Sequence, residues 1–424
     1  MITVAVCGCG SRGVNSYAKY ALVHPDKMKV VAGADIDQEK LNLFKSIYNV
    51  QDDMLFHSDD ELLSKPKLAD VLVIATQDRQ HVKEAIKALE LGYHLVIEKP
   101  ISPDLKECLK LSKKVYESKS YVVVCHVLRH SPFYKKVRKL LRAKVIGDIR
   151  TISMAENVSY WHYTHSFVRG NWRDSNVTSS VIMQKCIHDL DIMRWLAESK
   201  CNKIQSFGEL SYFNSKNKPE GASDRCFDCK YKETCPYSAY SIYITGKYCG
   251  VRHNNNHWLI DSIVNNPTEE NLIKALDKGP YGKCVFACDN NVCDHQVVNA
   301  EFDNHIIGSF VMSAFTEKYY RTLKVTGTKG ELYGSIEDNK IHIERYGQDE
   351  EIVDVGDPGN IFAGHGGVEA LMSCMCRLIE NEEEYAHEKF DVVLDSHLMA
   401  IAAEESRINN GKVIDLNEYK CREQ

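Results

Sequence analysis

The residues Gly8-Cys9-Gly10-Ser11-Arg12-Gly13 constrain the fold of this chain more than any others, because they separate an apolar run from a helix-compatible one. The run before them, Ile2-Thr3-Val4-Ala5-Val6, reads as a buried strand. A G-x-G-x-x-G turn there lets the chain reverse tightly, brings backbone close to a pyrophosphate, and packs helix on strand. The helix N-terminus adds amide donors and partial positive charge. Asp35 closes the next apolar run, Lys29 to Ala34, about twenty residues beyond the glycines. A carboxylate in that place accepts hydrogen bonds from ribose hydroxyls and repels a 2′-phosphate. The expected cofactor is NAD rather than NADP, held by Gly8, Gly10, Ser11, Arg12, Gly13 and Asp35.

Further apolar runs at Val71 to Ile74, His94 to Ile97 and Tyr121 to Val124 alternate with helical stretches, the pattern of a parallel sheet covered by helices. The expected α/β architecture begins with a Rossmann dinucleotide-binding domain over residues 1–125. Thr76, Gln77 and His81 follow one strand and Glu98-Lys99-Pro100 the next, both at carboxyl ends, where such sheets bind ligands. Beyond residue 125 the strand-like segments Gln296 to Phe302, Ile306 to Ala314, Leu323 to Thr326, Glu331 to Gly334 and Lys340 to Arg345 follow one another without helices. They predict a C-terminal α+β domain, 126–424, with a large open, mainly antiparallel sheet. Two closing helices, Gly366 to Glu380 and Leu394 to Asn409, are expected to return toward the Rossmann domain.

At 424 residues the chain needs more than one core. No stretch approaches the ~18 apolar residues of a membrane span, and Met1 leads straight into a strand rather than a signal peptide, so a cytoplasmic protein is expected. A net charge of −6 with scattered lysines points away from nucleic acid and toward a small-molecule partner. Of the 16 cysteines, Cys226, Cys229 and Cys235 lie in a polar, Cys-rich insertion at about 200–295. With Cys284 as the fourth ligand, or else Cys288 or Cys249, they suit a structural zinc; an iron-sulfur cluster, which the chemistry does not need, and reduced thiols without metal are the alternatives.

Several segments carry a resemblance. Besides the glycine turn, Thr76 to His81 and Glu98-Lys99-Pro100, they include Gly170-Asn171-Trp172-Arg173, Lys185-Cys186-Ile187-His188-Asp189-Leu190-Asp191, Gly327-Thr328, Gly364-His365-Gly366-Gly367 and Ser396-His397. Over its length the chain resembles the Gfo/Idh/MocA family of NAD(P)-dependent sugar oxidoreductases. The resemblance implies a homodimer or homotetramer built on the open sheet face. It also implies Glu98, Lys99, Trp172 and Arg173 beside the cofactor, and Lys99 and His188 at the reacting carbon. One departure matters. Many members carry an Asp four residues before the central His, where this chain has Gln184, which cannot take a proton. Lys185, three residues before His188, is expected on the same helix face.

Oxidising a carbinol requires a base for the hydroxyl proton and a positive charge for alkoxide character. His188 is the expected base, with Lys99 and Lys185 stabilising the alkoxide and Asp189 and Asp191 orienting the imidazole or binding sugar hydroxyls. Tyr160, His162, His165, Arg169 and Trp172 combine rings and polar groups suited to a sugar, and His295 and His365 are further pocket candidates. The expected activity is hydride transfer between NAD and a secondary hydroxyl of a hexose, glycoside or cyclitol, with position 3 as a candidate carbon. Two other readings are a redox-neutral glycosidase, working by transient oxidation and elimination, and a non-catalytic NAD-responsive binding protein.

Overall fold

The structure, a computed structural model, describes residues 1–253, 258–264, 267–357, 365–381 and 388–423. Its first sheet contains β1 (Ile2–Cys7), β2 (Met28–Ala34), β3 (Leu55–Phe56), β4 (Val71–Ile74), β5 (His94–Ile97) and β6 (Val122–Val124). All pair in parallel, in the order β3-β2-β1-β4-β5-β6. The chain winds outward from β1 to β3 and then restarts on the other side of β1 with β4. That reversal opens a crevice at the carboxyl ends of β1 and β4. Helices cover both faces, and the strands are accordingly apolar throughout, with Val4, Ala5, Val6 and Val71 to Ile74 buried.

The second sheet has nine strands: β7 (Ile149–Asn157), β8 (Cys201–Glu209), β9 (His295–Phe302), β10 (Ile307–Ser313), β11 (Tyr320–Gly327), β12 (Gly330–Ser335), β13 (Lys340–Arg345), β14 (Glu351–Asp354) and β15 (Ile414–Asp415). Their order is β14-β13-β12-β11-β7-β10-β9-β8-β15, antiparallel except for the β7–β10 pair. Ile152, Met154, Val298, Phe310, Met312, Leu323 and Val325 alternate onto one face and pack on the helix Ile187–Ala197 through Leu190 and Met193. The opposite face is open and displays Phe207, Ile307, Val311 and Tyr320 among polar residues. β7 and β8, which hold the centre and one flank of this sheet, lie outside the strand-like segments read from sequence. Arg150, Thr151 and Ser153 in β7 and Asn202, Lys203 and Gln205 in β8 hide the alternation.

Because β8 occupies Cys201–Glu209, the irregular insertion starts only after it, and it carries a helix, Glu269–Lys278, and an apolar cluster of its own around Ile242, Tyr243, Leu259 and Leu272. The helix Gly367–Ile379 buries Val368, Leu371, Met372 and Met375 against Val4, Tyr17 and Tyr20 of the first domain. The helix Glu388–Ile408 straddles both domains. Its Phe390, Val393 and Leu394 join the first domain's core and its Leu398, Met399, Ala402 and Ala403 the second's. Among the described residues no helix is long and apolar enough to cross a membrane.

Candidate active site

At the carboxyl end of β1 the glycine turn has the geometry a dinucleotide requires. Gly8 has φ +90°, and a Cβ on it would lie 2.4 Å from the Ala75 carbonyl oxygen at the end of β4. A Cβ on Gly10 would meet nothing within 4 Å, so the backbone there faces open space that a pyrophosphate can approach. The Cys9 amide donates to Asp35 Oδ2 (2.8 Å) and the Asp37 amide to Oδ1 (2.9 Å), fixing the Asp35 carboxylate beside the glycines. Ser11 is exposed at the turn. These residues fit NAD.

Arg12 reaches sideways, its Nε donating to Glu98 and its Nη2 to the Tyr17 hydroxyl (2.6 Å), which in turn donates to Glu98 Oε1 (2.6 Å). Burial works against the Glu98 carboxylate, but the charges of Arg12 and Lys99 with these hydrogen bonds outweigh it and hold its pKa down to about 2. Glu98 Oε2 then accepts from the Lys99 amide (2.8 Å), fixing the backbone of Lys99, whose bond to Pro100 is cis. His81 is buried, with Nδ1 2.7 Å from the Pro100 carbonyl and Nε2 3.1 Å from that of Thr76, so it clamps two crevice loops together. Thr76 donates to Glu84, and Gln77 is exposed at the rim.

The segment following Trp172 lies over the loop 76–80. The Ser179 hydroxyl donates to Asp78 Oδ2 (2.6 Å) and Arg79 donates to the Ser175 carbonyl (3.2 Å). Arg173 is paired with Asp289 (2.8 Å), and Trp172 leans on Phe167, so both brace this segment.

The expected helix carrying Lys185 and His188 is interrupted. Val181–Gln184 ends one helix, Ile187–Ala197 begins another, and Lys185 and Cys186 form the joint, so the two side chains do not share a regular face. The Cys186 amide bonds back five residues to the Val181 carbonyl (3.2 Å), which widens the turn, and the Gln184 carbonyl accepts from the Lys99 ammonium. Lys99, Lys185 and His188 thereby converge from two domains. Burial, together with the charge of Lys99, holds His188 neutral, its pKa well below the usual imidazole value. Burial likewise lowers Lys99 and Lys185 against the opposing pull of Glu98 and Glu156 respectively.

Behind Lys185 lies a charge cluster that sequence reasoning missed. Lys185 Nζ is 3.6 Å from Glu156 Oε1 and 4.8 Å above the Tyr319 ring, while Arg321 Nε lies 2.7 Å from Glu156 and donates to Asp189 Oδ1 (2.9 Å). Glu156 and Arg321 are direct cross-strand partners on β7 and β11. Both occupy inward positions of otherwise apolar alternations, and that was the available signal. His162, 5.6 Å from Tyr319, and His365, 3.9 Å from Glu337, complete this wall. His126, immediately after β6 and edge-on to His188, was also missed; like Lys99 it stands at the carboxyl end of a parallel strand.

Other candidates lie elsewhere. Arg169 is 1% exposed and is bound to the carbonyls of Lys283 (2.7 Å) and Tyr237 (2.7 Å), which ties the insertion down rather than facing a substrate. His165 is buried between Tyr243 (2.9 Å) and Ser262 (3.1 Å) and stacked on Tyr281. Tyr160 packs edge-on to Tyr237 at the insertion's border. His295 is exposed on the sheet's open face beside Asp294. Gly364 lies outside the described residues.

The expected zinc centre at Cys226, Cys229, Cys235 and Cys284 finds no support in the arrangement of the described residues. Among the described residues no group of three or more His, Cys, Asp or Glu is arranged to hold a metal ion. Cys226 donates to the Lys283 carbonyl (3.5 Å) with Arg169 against its sulfur, and of the alternative ligands Cys288 donates to the Cys284 carbonyl (3.3 Å) and Cys249 to that of Ile242 (3.5 Å).

Comparison with known proteins agrees with this geometry. The NAD-binding Rossmann-fold model of the Gfo/Idh/MocA oxidoreductase family matches residues 2–126, and that family's C-terminal alpha/beta domain model matches residues 138–409. Oxidoreductase YteT of Bacillus subtilis is 22% identical over 81% of this chain and 78% of its own length. Inositol 2-dehydrogenase 1 of Saccharopolyspora erythraea is 25% identical over 42% of this chain and 49% of its own. An oxidoreductase domain protein from Kribbella flavida shares the fold, with TM-score 0.71 at 15% identity, covering 98% of this chain and 99% of that one.

Proposed function

Because this chain belongs to the Gfo/Idh/MocA oxidoreductase family and binds NAD through its first domain, we propose that it oxidises a secondary hydroxyl of a hexose, glycoside or cyclitol, or reduces the corresponding ketone. The observation carrying this reading is the convergence of an ammonium, Lys99, and a neutral imidazole, His188, at the mouth of the cofactor crevice. NAD, when bound, supplies a nicotinamide able to exchange hydride with the carbinol carbon. Gly8, Gly10, Gly13 and Asp35 hold it, and Glu98 fixes the loop that carries Lys99. Lys99 donates to the substrate oxygen and favours its ionisation. His188 takes the hydroxyl proton in the oxidising direction and returns it in the other. Lys185 adds positive charge on the same side, and His162 and His365 offer polar edges to further hydroxyls.

Position 3 of a hexose ring remains our candidate carbon, and the family's inositol dehydrogenases make cyclitols the first compounds to try. A screen of hexoses, glycosides and cyclitols with NAD and with NADP, read by absorbance of the reduced cofactor, tests the reading. At least one compound gives stoichiometric NADH, and Asp35→Ser narrows the preference for NAD over NADP by about tenfold or more, because the carboxylate no longer repels the 2′-phosphate. Release of an aglycone without net NADH would move the assignment to the redox-neutral glycosidase.

We place the protein in the cytosol, where reduced thiols such as its 16 free cysteines persist. We also propose self-association into a homodimer or homotetramer through the open sheet face, where Phe207, Ile307, Val311 and Tyr320 form an exposed apolar patch. Light scattering then gives a mass of two or four chains, and Val311→Lys shifts it toward one chain. A wild-type monomer at micromolar concentration would refute the self-association.

A further inference from the structure

We propose that His126, backed by Asp191, is the positioning residue for His188, supplying the polar partner that Gln184 does not. The inference rests on His188 being the base of the proposed reaction. His126 is 2% exposed, and neither of its ring nitrogens has a hydrogen-bond partner among the described residues. Such a buried polar ring is costly unless a neighbour uses it. Three groups surround it. His397 is fully engaged: its Nε2 accepts from the Ile101 amide (2.8 Å) and its Nδ1 donates to the Val393 carbonyl (2.8 Å), so its ring 5.6 Å away can neither give nor take a proton. Asp191 Oδ1 lies 3.5 Å from His126 Nδ1 and is held by the two-pronged guanidinium of Arg129 and by the Ser396 hydroxyl (2.9 Å). The third is His188, perpendicular at 5.9 Å, whose own Nδ1 is buried without a partner.

The protons follow from these neighbours. A carboxylate held by an arginine only accepts, so His126 carries its hydrogen on Nδ1, toward Asp191, and its Nε2 has a free lone pair. His188 Nδ1 likewise has no partner among the described residues, and the lone pair of the neighbouring His126 ring is the acceptor assigned to its hydrogen. His188 Nε2 is then unprotonated and available to the substrate hydroxyl. During oxidation one proton moves from the substrate oxygen to His188 Nε2, and no bond within the histidine pair is made or broken. The imidazolium so formed is surrounded by positive groups: Lys99 and Arg12 from the first domain, Arg321 from β11, and Arg129 beyond His126. Asp191, which Arg129 already engages, lends its remaining negative character to that side through His126.

The test uses full-length protein labelled with 15N-histidine, with His188 assigned by the signal lost in His188→Gln. In the wild type both His126 and His188 give the Nδ1–H tautomer. In His126→Phe the His188 signal moves to the Nε2–H form or to a mixture. With the substrate found in the screen, His126→Phe lowers kcat about 10- to 100-fold with KM and NAD affinity within about twofold. His126→Gln, whose amide oxygen restores an acceptor, recovers at least tenfold of that loss and the wild-type pH profile. An Nε2–H tautomer of His188 in the wild type overturns the proposal even if no variant folds, and so does an unchanged tautomer and kcat in His126→Phe. The tautomers are read without substrate, so a failed screen counts against the proposed reaction and leaves this inference to be decided by the spectrum.

Discussion

Replacing Lys99 by alanine lowers kcat about 100- to 1,000-fold while NAD affinity stays within a few-fold of wild type. Among the described residues no carboxylate lies within salt-bridge distance of the Lys99 ammonium; its hydrogen bond goes to the neutral carbonyl of Gln184. Glu98, the nearest acid in sequence, is already engaged by Arg12 and Tyr17. The positive charge is therefore available to a developing alkoxide, in a buried setting where it acts more strongly than in water. Truncation leaves no bare carboxylate behind, so the loss falls on turnover rather than stability, and Lys99→Met, which keeps the apolar stem, gives a similar kcat.

The pH profile provides a second readout. Burial lowers the Lys99 pKa below its usual 10.5, and the reaction needs the charged form, so the rate falls as pH rises through that lowered value. His188 must be neutral, and its pKa lies well below 6.5, so the acid limb sits on the acid side of 6.5. In wild type kcat/KM is flat between these limbs; Lys99→Ala reduces the alkaline limb to what the likewise lowered Lys185 contributes and keeps the acid one. An unchanged alkaline limb, or a kcat within threefold of wild type, would remove Lys99 from the proposed chemistry.

Much of the cofactor half was legible because its signals are local. Gly8, Gly10 and Gly13 answer to backbone conformation and close approach, and Asp35 and Lys99 stand at strand ends fixed by short apolar runs. The substrate half depends on long-range register. Glu156 and Arg321 are 165 residues apart and meet only because β7 pairs with β11. β7 itself was obscured by Arg150, Thr151 and Ser153 on its open face. For the same reason Arg169 and His165, which sit among aromatic residues in sequence as sugar ligands would, turned out to serve the insertion's packing. The break at Lys185–Cys186 could not be read from spacing either, since Gln184 to Asp191 contains neither Gly nor Pro.

Arg321→Met destabilises the second domain strongly, costing about 3–5 kcal/mol. Arg321 is nearly fully buried and serves Glu156, Asp189 and Tyr319 with its guanidinium, and Glu337 with its backbone amide (2.8 Å). Methionine preserves the stem but leaves Glu156 and Asp189 with Lys185 as the remaining cation, 3.6 Å from Glu156. Burial, with Glu156 adding repulsion, already pushes the Asp189 pKa up in the wild type, and Arg321 is the first force opposing it. Without Arg321 the folded-state carboxyl pKa rises further above its unfolded value. The folded variant then binds more protons than the unfolded chain, so its stability deficit is smallest at low pH and grows as pH rises through the raised pKa. Urea denaturation at pH 5 and pH 8 reads this directly, as a larger drop in midpoint at pH 8. Adding Glu156→Met to Arg321→Met should recover most of the loss, because a buried ion pair is costlier to break than to replace by apolar groups. A deficit below about 1 kcal/mol that does not vary with pH would mean that water, rather than Arg321, balances these carboxylates.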